Sequence, residues 1–374
     1  MIYLDYCATT PVDKRVLNTF NKVCIDYPGN SNSLHKLGAD AHELEEYATD
    51  RIKKMLQLNN KDIIYTSGAS ESNNQAIKGI CFKYKNRGKH IITTYLEHSS
   101  IISTMKYMSD LEYDIDYVKI DKDGRVDLEH LKKLLRNDTV LVSICMVDSE
   151  LGIRQPIEEI SKILKDYPKC FFHVDCTQAL GKIDIDFNLM DLASISMHKI
   201  YGMKGIGMLI KNSSINILPL IHGGKSSTVY RAGTPALPLI VSSMKAIELA
   251  MEDMNSKYKY VEKLNNRIMD KIGSYDDVKV NSTKYSISYV INISLNKIKP
   301  ETFVHAMDEY DIYLSTKSAC SDSSTMSDAV YAVVKDRDSA SHSIRISLSY
   351  KTEEEEIDKF LVLFEEVYRK LNFV

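Results

Sequence analysis

The chain is predicted to be α/β: a mostly parallel β-sheet flanked by helices, followed by a smaller α+β domain. Two patterns and one length carry that prediction. Short apolar runs alternate with amphipathic segments from residue 62 to residue 210, as when strands and covering helices follow one another. Beyond Pro238 the alternation stops, and a long helical stretch leads into mixed strands and helices. At 374 residues the chain has length for about two domains.

Residues 12–27 and 35–58 read as helices, the second with Leu44, Tyr47, Ile52, Met55 and Leu56 at helical spacing. Between them Tyr27-Pro-Gly-Asn-Ser-Asn-Ser-Leu-His35 is a turn-rich loop. Strands are expected at 62–66, 90–93, 115–120, 140–145, 170–175, 192–196 and 206–210, and helices at 70–86, 99–111, 127–136 and 156–167. The stretch 239–272 reads as one helix. It is followed by a strand at 287–294, a helix at 300–310, a further strand, a Ser-rich loop, a strand at 343–348 and a helix at 352–371. The expected division is a large domain over 12–250 and a small one made of 1–11 and 251–374.

Composition narrows the function classes. A net charge of −3 leaves no electrostatic footprint for nucleic acid or an anionic membrane. No apolar run is long enough to span a bilayer, and Met1-Ile-Tyr-Leu-Asp5 lacks the basic and apolar regions of a signal peptide. Seven cysteines occur without a C-x-x-C, which suggests neither a metal site nor a disulfide framework. Those in apolar runs, such as Cys145 and Cys170, read as core thiols, so a reducing, cytoplasmic setting is expected.

Three segments carry chemistry. Tyr65-Thr-Ser-Gly-Ala-Ser-Glu-Ser-Asn-Asn74 follows a strand and opens a helix. Its free N–H groups suit a phosphate, with Ala69 and Ser70 at the helix start, or else Ser70 simply caps the helix. Phe172-His-Val-Asp-Cys-Thr-Gln-Ala-Leu-Gly181 sets Asp175 and Gln178 just past a strand end, where doubly wound folds bind ligands; a capping box for a following helix is the other reading. Ser196, His198 and Lys199 stand in a polar turn between two apolar strands. Lys199 is either an ordinary loop lysine or an amine whose pKa burial has lowered, fit for a Schiff base. In this order, a phosphate cradle, a strand-end carboxylate and a flanked lysine together describe a pyridoxal 5′-phosphate site.

The chain resembles the cysteine desulfurases, pyridoxal-phosphate enzymes of fold type I in the class V aminotransferase-like group. The matching runs are Tyr3-Leu-Asp-Tyr-Cys-Ala-Thr-Thr-Pro11, Gly29-Asn-Ser-Asn-Ser-Leu-His35, Thr66-Ser-Gly-Ala-Ser-Glu71, Thr93-Thr-Tyr-Leu-Glu-His98 and Ser196-Met-His-Lys199. Ile221-His-Gly-Gly224, Arg231-Ala-Gly-Thr234, Ser318-Ala-Cys320 and Ser343-Ile-Arg-Ile-Ser-Leu348 follow in family order. The resemblance implies that Lys199 bonds the cofactor aldehyde, Asp175 pairs with the pyridine nitrogen, and Gln178 bonds the ring O3′. His98 stacks on the ring and assists proton transfer, and Ala69, Ser70, Ser196 and His198 hold the phosphate. Thr234 reaches the phosphate from the neighbouring subunit of a homodimer. Arg345 pairs with the substrate carboxylate, for which a planar, bidentate cation is apt. Cys320 is implied to be the nucleophile that takes sulfur from L-cysteine as a persulfide, leaving alanine. About 25 residues separate Cys320 from Arg345, resembling the long-loop branch that hands sulfur to an acceptor protein, a cluster scaffold or a thiolation enzyme.

The substrate side departs from the family pattern. Ser149 stands where an asparagine usually touches the cofactor oxygen and the substrate carboxylate, and the adjacent Asp148 adds a negative charge. Met203 replaces a proline, Lys225-Ser-Ser-Thr-Val-Tyr230 replaces a Gly-Gln-Glu-type segment, and Ser349-Tyr350 replaces Gly-Arg. Two further readings therefore stand beside a desulfurase. One is another pyridoxal-phosphate lyase or transaminase; the other is a weakly active homologue that mainly binds a sulfur-transfer partner.

Overall fold

The computed structural model describes residues 1–224, 227–316 and 326–372. Among them seven strands form a central sheet in the order Lys61–Thr66, Gly207–Asn212, Leu192–Ser196, Phe171–Asp175, Thr139–Cys145, His90–Thr93 and Asp114–Tyr117. Only Gly207–Asn212 runs against its two neighbours; the other pairings are parallel. Successive strand residues point to opposite faces. Ile91, Leu141, Leu192 and Leu209 pack in one cluster under the helices Ala69–Lys83 and Ser99–Asp110. Their neighbours Ile92, Val142, Ala193 and Ile210 pack into the larger core on the other face. Covering on both faces is why these strands read as continuous apolar runs.

The antiparallel strand positions the site. At Gly207 a Cβ would stand 2.6 Å from the Gly68 carbonyl carbon and 2.6 Å from the Ile195 oxygen. A hydrogen there lets the turn Ser67–Ser70 lie directly against the strand that leads to Lys199.

A second, antiparallel sheet has the order Ser343–Ser347, Val290–Leu295, Val278–Val280. Phe303, Phe360 and Phe364, from the helices Pro300–Asp308 and Glu354–Asn372, are fully buried beside it. The first residues of the chain join this part. Ile2–Tyr3 pairs with Ile312–Tyr313, and the Ser347 N–H donates to the Leu4 carbonyl at 2.7 Å.

The structure departs from the sequence expectation in several places, among them the short strands Ile2–Tyr3 and Val278–Val280, which were not expected. The stretch 239–272 is two helices, Leu237–Met251 and Met254–Ile272, because Asp253 takes left-handed backbone angles (φ 48°). Lys257 Nζ caps the break, donating to the carbonyls of Leu249 and Glu252. Within the stretch expected to be loop, two short helices form, Asp328–Val334 and Arg337–Ser341. Ala329, Val330, Val333 and Ala340 bury against Leu96, Leu151 and Ile153, a packing too short to show as periodicity. Turns, not a helix, follow Asp175, so the capping-box reading of Asp175 and Gln178 fails.

Candidate active site

The strands carrying Thr66, Cys145, Asp175 and Ser196 at their C-terminal ends share one edge of the central sheet, the edge at which α/β folds bind ligands. There a cavity of about 470 Å³ is lined by Ala69, Ser70, His98, Ser149, Asp175, Gln178, Ser196, His198, Lys199 and Arg345. Residues from position 69 to position 345 of the chain thus meet at one place.

Lys199 ends a 3-10 turn, Met197–Lys199, directly after the strand Leu192–Ser196. Its Nζ donates to the Cys7 carbonyl and, at 2.8 Å, to the Ala8 carbonyl. Burial, with the nearby Lys182 and Arg345 charges, lowers its pKa to about 8 despite the opposing effects of Cys7 and Asp5. At pH 7 roughly a tenth of the amine is therefore neutral and nucleophilic.

Asp175 presents its carboxylate with both oxygens held. Oδ1 accepts the Thr177 N–H and Oδ2 accepts Asn73 Nδ2, each at 2.9 Å. Asn73 sits in the helix Ala69–Lys83, is fully buried, and also donates to Ser100 Oγ at 3.0 Å. It joins three elements of the site, yet a polar residue inside a helix gives no such signal in sequence. Thr177 Oγ1, buried in the cavity wall, has no partner among the described residues.

His98 caps the helix Ser99–Asp110, its Nδ1 accepting the Ser100 N–H at 3.1 Å. Nδ1 is thereby an acceptor, and Nε2 carries the proton of the neutral ring. Burial keeps that ring neutral by lowering its pKa, aided by Lys199 and opposed by Asp175. His198 Nδ1 lies 3.1 Å from Thr9 Oγ1; burial, then Lys199 and Lys204, push its pKa down to about 4.

The helix Ala69–Lys83 starts at Gly68 with no side-chain cap. Its first turn, Ala69 and Ser70, lines the cavity, where the N-terminal end of a helix favours an anion, and the cap position falls on Gly68 and not on Ser70. Ser196, His198 and Lys204 stand on the same wall. Lys204 is a cation that the sequence reading left unassigned. Thr234 is exposed and lies in an adjoining recess with Ser67 and Gly205, outside the main cavity of its own chain.

Arg345 is 1% exposed. Its Nη1 donates to the Ser149 carbonyl at 2.8 Å and its Nη2 to Asp5 Oδ1 at 2.7 Å, while Nε is buried with no partner among the described residues. Ser149 thus steadies the guanidinium through its backbone. Asp148 also lines the cavity, its carboxylate accepting the N–H groups of Glu150, Leu151 and Ile153. Burial still raises its pKa to about 6. Beside the cavity Glu97 is buried, and that burial, reinforced by Asp175, raises its pKa to about 8. Cys320 and Lys225 lie outside the described residues.

Comparisons with known proteins agree with this architecture. A family model described as aminotransferase class-V matches residues 2–360. The chain is 36% identical over 378 residues to a protein of Dictyoglomus turgidum named cysteine desulfurase IscS, covering 100% of this chain and 96% of that one. A solved structure titled NifS-like protein superposes with a TM-score of 0.92 at 34% identity, covering 100% of both chains. Another, SspA in complex with cysteine, gives 0.82 at 30% identity over 94% of this chain and 100% of that one. The chain belongs to the class-V aminotransferase family, among relatives named cysteine desulfurase.

Proposed function

We propose that the chain is a pyridoxal 5′-phosphate-dependent cysteine desulfurase, converting L-cysteine to L-alanine and passing the sulfur to its own Cys320 as a persulfide. One observation carries the reading. A buried amine with its pKa lowered to about 8, Lys199, shares a cavity with a strand-end carboxylate, an uncapped helix N-terminus and the buried guanidinium of Arg345. The donor set suits the cofactor, since the uncapped N–H groups and the Ser196 hydroxyl fit a phosphate and the doubly held Asp175 fits a protonated ring nitrogen.

Lys199 would anchor the cofactor through its neutral amine. Ala69, Ser70, Ser196 and His198 would hold the phosphate, with Thr234 supplied by the neighbouring subunit of a homodimer. Asp175 would keep the ring nitrogen protonated, and Gln178 Nε2 would donate to the ring oxygen. When bound, the cofactor supplies an electron sink for bonds at the amino acid α-carbon. His98, its Nδ1 occupied by the Ser100 N–H, offers Nε2 for stacking and for carrying a proton. Arg345 would take the substrate carboxylate in competition with Asp5, and Ser149 would set the guanidinium orientation. Cys320 enters as a thiol and leaves as a persulfide, while L-cysteine becomes L-alanine, so atoms and electrons balance. The large domain, 12–250, would hold the cofactor. The small one, 1–11 with 251–374, would carry Cys320 and Arg345. A cytoplasmic dimer of this kind would deliver sulfur to an acceptor protein for cluster assembly or thiolation.

The test is incubation of the yellow, cofactor-loaded protein with L-cysteine and a thiol reductant. Alanine and sulfide should form in equal amounts, and Cys320→Ser should keep the colour and lose sulfide release. Wild-type sulfide release from Cys320→Ser would refute the persulfide route. A colour change without alanine would point to a different reaction on the same scaffold.

A further inference from the structure

Behind the cavity lies a second buried lysine to which neither the motifs nor the comparisons give a role. Lys182 is 8% exposed and follows the turn at Gly181. Its Nζ donates to Gln178 Oε1 at 2.8 Å, and Gln178 Nε2 donates to the Cys7 carbonyl at 3.0 Å. That carbonyl also accepts Lys199 Nζ. The chemistry of the contacts fixes the amide orientation from both ends. An ammonium can only donate, so it must face Oε1, and a carbonyl can only accept, so it must face Nε2. Gln178 is thereby held with its N–H group toward the cavity.

We propose that Lys182 is a positioning residue for Lys199, clamping the Gln178 amide as a donor from behind the cavity wall. Lys182 and Lys199 also line one small recess with Tyr201 and Tyr289, so the Lys182 charge bears on the Lys199 amine and favours its neutral form. The inference rests on the reading of Lys199 as the reactive amine. Cys7, Lys182, Arg345, Asp5, His98 and His198 all act on Lys199 electrostatically or stand in its field. Lys182 in turn faces Cys7, Arg345 and, at 5.9 Å, the ring of Tyr289. Near pH 8 both histidines are already neutral and Arg345 stays charged, so they add no titration in that window. Burial lowers the pKa of Lys182 itself, with Arg345 adding to the lowering and Cys7 opposing it.

The charge role is tested without cofactor, and the clamp by pyridoxal-phosphate affinity. The full chain, freed of pyridoxal phosphate, is acetylated with acetic anhydride across pH 6.5–10, and the Lys199 rate is read by peptide mass spectrometry. The parent midpoint is expected at about 8. Lys182→Gln keeps a donor for Gln178 and removes the charge, so its midpoint should rise by about half a pH unit or more. Lys182→Met removes both, and it should in addition bind pyridoxal phosphate several-fold more weakly than Lys182→Gln. An unchanged or lower midpoint in a Lys182→Gln protein that melts like the parent overturns the charge role. Equal pyridoxal-phosphate affinity of the two variants overturns the clamp. If Lys182→Met does not fold, the Lys182→Gln titration alone decides. Failure of the parent to take up pyridoxal phosphate would count against the proposed function, whereas the Lys199 midpoint is read independently of uptake.

Discussion

Replacing Asn73 by aspartate tests whether Asp175 is held as a carboxylate by a buried donor. The substitution keeps size and shape but puts an oxygen where Nδ2 now lies, 2.9 Å from Asp175 Oδ2. The Ser100 hydroxyl can turn to donate to the new carboxylate, so that contact is not lost. The other oxygen inherits the place of Asn73 Oδ1, which is buried with no partner among the described residues. Loss of the hydrogen bond to a charged acceptor costs about 1.5–3 kcal/mol. Two carboxylates about 4 Å apart repel by roughly 4 kcal/mol at an effective dielectric near 20. Proton uptake by the pair limits the total, since holding one carboxyl protonated at pH 7 costs at most about 4 kcal/mol. We expect Asn73→Asp to lose about 2–4 kcal/mol at pH 7 in urea or guanidinium unfolding. The pH dependence identifies the cause. The pair's folded-state pKa is raised above that of the unfolded carboxyls, so its stability is present at low pH and is lost as pH rises through the raised value. Asn73→Asp should therefore recover relative to Asn73→Ala as pH falls from 8 to 5. A loss below about 0.5 kcal/mol, or one that does not change over that range, would refute the assigned role of Asn73.

Glu97, with a pKa raised to about 8, is mostly protonated at neutral pH. The stability it contributes should be full below the ordinary carboxyl range, fall by about 1.4 kcal/mol per pH unit between that range and 8, and level off above 8. Glu97→Gln keeps an acceptor for the Cys145 N–H and the Thr94 hydroxyl and should abolish that decline, as denaturant melts at pH 5 and 8 would read. Gly207→Ala should cost about 1–3 kcal/mol and sharply weaken pyridoxal-phosphate uptake, because the new Cβ meets backbone at 2.6 Å and moves the Ser67–Ser70 turn. Arg345→Lys keeps the charge but cannot span both Ser149 O and Asp5 Oδ1; steady-state kinetics should show KM for L-cysteine rising more than kcat falls.

What the sequence determined by itself is local. Strand runs and their ends were legible because apolar residues covered on both faces leave a continuous signature, and short motifs past those ends marked Ser70, Asp175 and Lys199. His98 and Arg345 became assignable from the family pattern around them. Only the tertiary structure decided how these groups are held. Asp5 and Arg345 are 340 residues apart, so no periodicity relates them. The partners of Lys199 are the backbone carbonyls of Cys7 and Ala8, atoms that every residue carries and no motif can flag. Asn73 and Lys182 have the polar character of surface residues; folding made them interior by giving each a buried partner, in Asp175 and in Gln178. The break at Asp253 likewise depended on Lys257 reaching back to two carbonyls, which side-chain spacing does not reveal. Residue types recorded which chemistry was available. Desolvation and long-range partners decided the charge state, and those exist only once the chain has folded.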